Sequence, residues 1–547
     1  LAHAETHLST PEPTRRIGQQ QAAALVFALF IAVAAWALVF HLGRYRWFHG
    51  DEWDFLVLRD GGNPGDWVRA HNEHLHALPV VVYRLWWNLF GLRSYLPYQI
   101  PVIALHLTAA VLLRQVMRRC GVHPWIATAA AGVFVLFGPG EENIVWAFQI
   151  GFTGSLTFGL AHLLLADHPG TIDRRDWLGL GAGALGLLCS TLTPFPTAVV
   201  GAVVLVRRGW RPAVFNVVPL AVAYLTWWVT IGPDTVDSPG RAGVGDIVDF
   251  VRTGVDATLE SLSGANLYAR WVLVIVLVAG LVVAWFSTPS ATRLRRMVMP
   301  LSMLVAGLVF LGVTGYGRWN FGGVGDSSRY VHLVAAFSLP ALAVAADALA
   351  RKWRFGVPVA VLGFVALIPF EIGQFETNEP WTRQYFAARR ELIASLARSA
   401  YITQVPRATQ PDPTFTGGMT AGWLLDALDT GDLPRPRRVP AANDPTMRLR
   451  FGLVVTDAPI AGTCRTQRQP FDVTLARDRE IGVLPVASGP VGPASNRSYL
   501  VQLLDDGVPT GGRRTIFPNV GKVLRAQLDD LELRITAAPG VGLMLCQ

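Results

Sequence analysis

The chain has 547 residues, of which 51% are hydrophobic and 16% charged, with a mean hydropathy of +0.36 and a formal net charge of +8. A soluble protein of this length carries roughly 25% charged residues, so the composition excludes an ordinary soluble enzyme. The basic balance is no sign of a nucleic-acid partner either, because the arginines sit in loops between apolar runs.

Those runs are about 17 to 22 residues long, enough to cross a hydrocarbon core of roughly 30 Å. The first 20 residues form a polar tail with no cleavable signal pattern. Apolar spans follow near 21–42, 97–117, 124–140, 145–166, 177–192, 194–206, 212–231, 271–287, 297–316, 330–350 and 356–371. The break between 192 and 194 rests on Thr193-Pro194-Phe195-Pro196, since proline removes a backbone donor and restricts the residue before it. Arg15-Arg16, Arg114 with Arg118 and Arg119, Arg174-Arg175, Arg207-Arg208, Arg293 with Arg295 and Arg296, and Arg351-Lys352 with Arg354 all fall in alternate loops. The positive-inside rule makes those loops and the N-terminus cytoplasmic. The expected fold is an α-helical polytopic membrane protein of about eleven spans. The Ala, Gly, Val and Arg bias is that of a GC-rich bacterial genome, and the expected location is a bacterial cytoplasmic membrane.

The extracytoplasmic side then receives segments 43–96, 139–144, 232–270 and 317–329 and everything after 371. From Asp246 to Leu259 the apolar residues recur with helical spacing, the pattern of an amphipathic helix lying in the interface. Residues 372–450 read as a proline-rich linker with helical pieces around 384–398 and 420–428. From 451 to 547, strand-like runs at 451–455, 471–475, 499–504, 531–535 and 543–545 alternate with turns, as in a β-sandwich. Cys464 and Cys546 bracket that region, and on an oxidising face they are expected to pair, a closure worth roughly 3–5 kcal/mol. Cys120 and Cys189 lie at or within spans and are expected to stay unpaired.

Three outer segments carry groups suited to chemistry. Gly50-Asp51-Glu52-Trp53-Asp54-Phe55 sets three carboxylates just past the first span, where ionised groups are costly to keep without a task. Gly140-Glu141-Glu142-Asn143 repeats the theme in the second outer loop, and Ser327-Ser328-Arg329-Tyr330 opens a late helix. His71-Asn72-Glu73-His74-Leu75-His76 adds a histidine cluster, with His71 and His74 expected on one helical face at i, i+3.

A long first outer loop that opens with an acidic motif resembles the GT-C superfamily of membrane glycosyltransferases. The second acidic loop, the short helices around Thr193-Pro194 and the Arg329-Tyr330 pair are similar to features of that fold. The resemblance covers roughly residues 20–371 and implies a polyprenyl-phosphate sugar as donor and transfer outside the cytoplasmic membrane. Such a transfer builds an oxocarbenium-like centre and negative charge on the departing phosphate. It needs a base for the acceptor hydroxyl and cations for the phosphate. The resemblance implies Asp51 as that base, with Glu52 and Asp54 orienting the acceptor or a metal. Glu141, Glu142, His71, Glu73 and His74 would contact substrate, and Arg329, Tyr330 and Arg318 would hold the lipid phosphate. No metal ligand is assigned; a divalent cation (Mg or Mn) stays open.

Each assignment has a plainer rival. The first-loop acids can cap a helix or pair with Arg44 or Arg46, and Glu141 and Glu142 can serve the dipole of a helix starting near Asn143. The arginines and Tyr330 can snorkel to the headgroup level, and Trp86-Trp87 and Trp227-Trp228 read as aromatic belts. No Walker, dinucleotide or nucleophile-elbow motif is present in the sequence, so the energy would come from the activated donor. The resemblance thus implies a transfer to an envelope glycan or lipid acceptor, with the β-region acting like a carbohydrate-binding module. Two other readings stay open: a transporter or flippase of lipid-linked sugars, and a non-catalytic glycan-binding scaffold.

Overall fold

The structure is a computed structural model, described here for residues 13–59, 61–232, 242–318, 325–456, 458–460, 462–467, 469–487, 498–516, 522–538 and 541–546. The chain divides into two compact units. One holds residues 1–46, 64–82 and 96–382, and the other holds 47–63, 83–95 and 383–547.

The first unit is helical. Among the described residues, eight helices are long and apolar enough to cross a membrane, which makes this a membrane-embedded protein. They include Leu96–Arg119, Trp210–Thr230, Leu267–Ser287, Ser290–Arg318 and Ser328–Ala350. The other three expected spans are also helical but shorter: Pro124–Val135, Arg174–Cys189 and Pro194–Arg208. Local chemistry sets several boundaries. Asp173 and Asp176 form a capping box at the start of Arg174–Cys189. Pro194 occupies the first turn of the next helix, where its missing N–H costs nothing. The expected amphipathic helix is Val244–Ser261, with Phe250 and Gly254 buried and Val244 and Val248 exposed.

Several of the basic clusters assigned to one side meet at one end of the bundle. Arg207 and Arg295 each donate to the other's backbone carbonyl, at 2.8 and 2.7 Å, and Arg351 donates to the Gly121 carbonyl at 2.7 Å. Asp176, with no exposed surface, receives Arg208 at 2.6 and 3.0 Å, Asn216 at 2.9 Å and the Asp173 N–H at 3.0 Å.

The expected linker start at 372 is not a break. Helix Ile368–Leu396 runs through it and through Pro380, carried by the helix-forming segment 383–396 rich in Ala, Arg, Glu and Leu. Beyond it, helix Ala421–Asp429 matches the second expected piece.

The C-terminal region is β-rich. Its strands are β1 (Leu453–Thr456), β2 (Cys464–Gln467), β3 (Phe471–Leu475), β4 (Glu480–Ala487), β5 (Tyr499–Asp505), β6 (Val508–Ile516), β7 (Lys522–Ala526), β8 (Leu531–Ala537) and β9 (Val541–Cys546). They form two antiparallel sheets, ordered β1-β7-β4-β9-β2 and β3-β8-β5-β6. Alternate residues of both sheets, such as Tyr499, Val501 and Leu503 on β5 and Ile481 and Val483 on β4, share one core. Leu449 of helix Pro445–Gly452 joins it. Strands β2, β4, β6 and β7 are additions to the sequence-based set. Cys464 and Cys546 face each other across β2 and β9 and are disulfide-bonded, closing 82 residues of chain. Cys120 and Cys189 are free and buried. Replacing both bonded cysteines by serine is expected to cost the β-region about 4 kcal/mol. Thermal unfolding of the variant beside the wild type reads this as a lowered midpoint.

Candidate functional site

In the second unit, Glu52 is fully buried among hydrogen-bond donors. Tyr83 and Tyr95 give their hydroxyls to Oε1 at 2.5 and 3.0 Å, and the His49 N–H reaches Oε2 at 2.8 Å. Its carboxylate oxygens accept all three bonds. Glu52→Ala strands three donors at once and is expected to destabilise this unit by about 3 kcal/mol, measurable by thermal unfolding. Asp54 pairs with Arg59 at 2.7 Å, and Arg59 is itself only 1% exposed. Asp51 is half-buried, on the turn after Gly50, whose φ of 57° suits glycine. Glu52 and Asp54 are thus tied into the packing of the loop.

In the first unit, the histidine cluster differs from the expected helix. His71 and His74 exchange both backbone hydrogen bonds at 3.0 Å across a two-residue turn. Asn72 and Glu73 occupy it at φ of 48° and 70°, the left-handed values such a hairpin demands. Helical i, i+3 geometry is therefore replaced by cross-strand pairing. Asparagine tolerates that conformation, and Arg318 fixes the turn by donating to the Asn72 carbonyl at 2.9 Å. The turn aims its rings inward. His74 Nδ1 lies 2.5 Å from the Thr191 hydroxyl, and His76 Nδ1 donates to the Cys189 carbonyl at 3.0 Å. Burial pushes His74 down to about 3, reinforced by the charges of Arg318, His71 and Arg329. It is neutral at any physiological pH and sits within the field of two guanidinium groups.

The second acidic loop forms the short helix Glu141–Val145 with both acids in its first turn. Each also meets an arginine: Glu141 lies 3.0 Å from Arg46, and Glu142 lies 3.7 Å from Arg329. The dipole role and the ion pairs therefore coexist. Arg329 and Tyr330 stay in contact, with the guanidinium 5.2 Å from the ring centroid, but differ in exposure. Arg329 is partly exposed beside Glu142, whereas Tyr330 is 4% exposed and packs on Phe250 and Phe310 with ring centroids 5.9 and 5.8 Å away. Trp319 and Asn320, beside Arg318, lie outside the described residues.

Under this loop runs a buried chain that sequence reading missed. Asn143 Nδ2 reaches the Arg329 carbonyl at 2.9 Å and His332 Nδ1 at 3.2 Å. His332 Nε2 meets His106 Nδ1 at 3.1 Å, and His106 Nε2 meets the Val135 carbonyl at 3.1 Å. The amide can only donate and the carbonyl can only accept, so the direction is fixed and both rings are neutral Nε2–H tautomers. Gly140 is required above it, since a Cβ there would come within 2.8 Å of His332. The available signal was a lone histidine in each of two apolar spans, a rare placement.

His168, Asp173 and Asp176 form the one carboxylate–histidine group among the described residues with metal-ligand spacing. It fits a cation poorly, because Arg208 and Asn216 already donate to Asp176. No protein-family profile, no curated protein and no solved structure matches this chain.

Proposed function

We propose that the protein is a membrane glycosyltransferase. It moves a sugar from a polyprenyl-phosphate donor to an extracytoplasmic envelope glycan or lipid acceptor, with inversion and a carboxylate base. The observation that carries this reading is the tight turn between His71 and His74, whose Asn72 carbonyl accepts from Arg318 at 2.9 Å, with His74 in the field of Arg318 and Arg329. Such a constellation suits a phosphate leaving group, which gathers charge as the glycosidic bond breaks, because guanidinium groups are held in place to meet that charge. The pairs Glu141–Arg46 and Glu142–Arg329 place carboxylates beside these cations, where acceptor hydroxyls can be held.

Asp51 keeps the base role suggested by its place in the sequence, with Glu52 and Asp54 shaping its loop. About eleven spans with an inside N-terminus accompany this reading. The β-region is taken as a sandwich: without β1, its order β2-β9-β4-β7 over β3-β8-β5-β6 follows the strand pairing of a jelly roll, an architecture shared by many lectin domains. That supports a glycan-holding role for it. Arg329→Gln should raise the KM for the lipid-phosphate donor about tenfold while leaving the KM for acceptor nearly unchanged, as steady-state kinetics in detergent would show. Equal loss for both substrates would remove the phosphate role.

One observation favours the transporter reading. His106, His332 and Glu371 all lie fully buried within candidate spans, where ionisable groups often mark a transport path. Flipping of a labelled lipid-linked sugar in liposomes by a variant lacking transfer activity would favour it.

A further inference from the structure

At the basic end of the helical unit, a cavity of about 190 Å³ opens between the ends of helices Leu96–Arg119, Leu267–Ser287 and Ser328–Ala350 and the start of Ser290–Arg318. Three cations border it, Arg296, Arg351 and Lys352, against a single carboxylate, Asp347. That carboxylate is already spoken for: Arg351 Nε donates to one oxygen at 2.7 Å and the His123 N–H to the other at 2.9 Å. Among the described residues, the side chains of Arg296 and Lys352 enter no hydrogen bond or ion pair. The guanidinium of Arg296 lies against Gly121, where a Cβ would come within 3.3 Å of it. The cavity therefore has an unbalanced positive field and no acid left to answer it.

Its walls are of a second kind. Ala284, Val344 and Ala348 line the inner side. Next to them, helix Leu267–Ser287 presents bare apolar surface, with Val282 49% and Phe286 73% exposed. Arg293 lies over the rings of Trp285 and Phe286 at 5.4 and 5.8 Å, the arrangement of a cation resting at the edge of the hydrocarbon. A free phosphate would gain from the cations alone. A phospholipid gains from both, its phosphodiester among the cations and its acyl chains along the exposed helix.

We propose that this cavity is a binding site for the headgroup of an anionic phospholipid, independent of the transfer reaction. Basic pockets between membrane helices hold such headgroups through charge, at a strength that falls with each cation removed. The site would anchor the ends of four helices together from the membrane side.

The test uses the full chain purified in detergent and titrated with phosphatidylglycerol or phosphatidylcholine, with retained lipid counted by native mass spectrometry. The expected result is retention of one phosphatidylglycerol per chain in preference to phosphatidylcholine. R296Q/K352Q should lower that retention roughly tenfold. R174Q/R175Q removes the same charge from exposed positions elsewhere and should leave retention unchanged. Ala348→Trp, which fills the apolar wall without altering charge, should also reduce it. Equal retention of both lipids by the wild type would overturn the proposal, as would equal loss in the two charge variants. Complete displacement of the lipid by millimolar inorganic phosphate would overturn it as well, by making the free anion the occupant.

Discussion

Asp51→Asn is expected to lower sugar transfer by about 10²–10⁴-fold while leaving the unfolding midpoint within about a degree of the wild type. The first half follows from the worth of a general base in removing an acceptor hydroxyl proton. The second follows from placement. Asp51 is half-buried on a turn, where an isosteric amide is accommodated without repacking. The amide keeps the shape of the carboxylate and cannot accept the proton. Initial rates with radiolabelled donor, taken beside thermal unfolding of the same preparations, separate the two effects. A variant that unfolds early and transfers weakly would place Asp51 with the structural acids.

The second large effect is on stability. Asp176→Ala removes the carboxylate from a site with no exposed surface and leaves the 2%-exposed Arg208 guanidinium without its partner. Stranding one member of a buried pair costs about 3–5 kcal/mol. Asn216 and His168 lose the same acceptor. The double variant D176A/R208M should recover part of the loss, because the uncompensated charge is gone. The same pair predicts a pH dependence. Burial acts to raise the Asp176 carboxyl, but Arg208, Asn216, the Asp173 N–H and His168 outweigh it and hold the group below its ordinary value. A depressed carboxylate contributes stability that is full above the unfolded value of 3.8 and lost as the pH falls below it. Unfolding in detergent between pH 7 and pH 3 should show that fall for the wild type and little of it for D176A/R208M.

Much of the fold was legible because single residues decide it. Pro194 announces a helix start wherever it stands, and the alternation of Arg207-Arg208 with Arg293–Arg296 and Arg351-Lys352 marks one end of a bundle that the structure does assemble. Cys464 and Cys546 could be paired from position alone because they flank one run of strands. Strands β4 and β6 escaped notice since Gly482, Pro485 and the Gly511-Gly512 pair interrupt their alternation. In β4 they are tolerated by long-range pairing with β9, whereas β6 pairs with β5 across the two-residue turn Asp506-Gly507, a hairpin signal present in the sequence.

The site was legible by residue type and illegible by geometry. Acids, arginines and histidines were found where the loops begin, but the turn at Asn72-Glu73 converts an expected helical face into a hairpin. Two left-handed residues in succession are a tertiary outcome, enforced here by Arg318 from 246 residues away. The His106–His332 contact spans 226 residues, and only the fold could bring two isolated histidines together under Asn143. Arg329 and Tyr330 lie in contact but differ in exposure. Arg329 faces Glu142, while Tyr330 is buried against Phe250 and Phe310.

The central claim is best tested by giving purified wild-type protein a panel of radiolabelled polyprenyl-phosphate sugars together with envelope glycan acceptor. The account predicts label in the glycan, with inverted anomeric configuration and release of polyprenyl phosphate. Label that stays on the lipid while crossing the bilayer of a proteoliposome would contradict it and make the protein a transporter of that lipid.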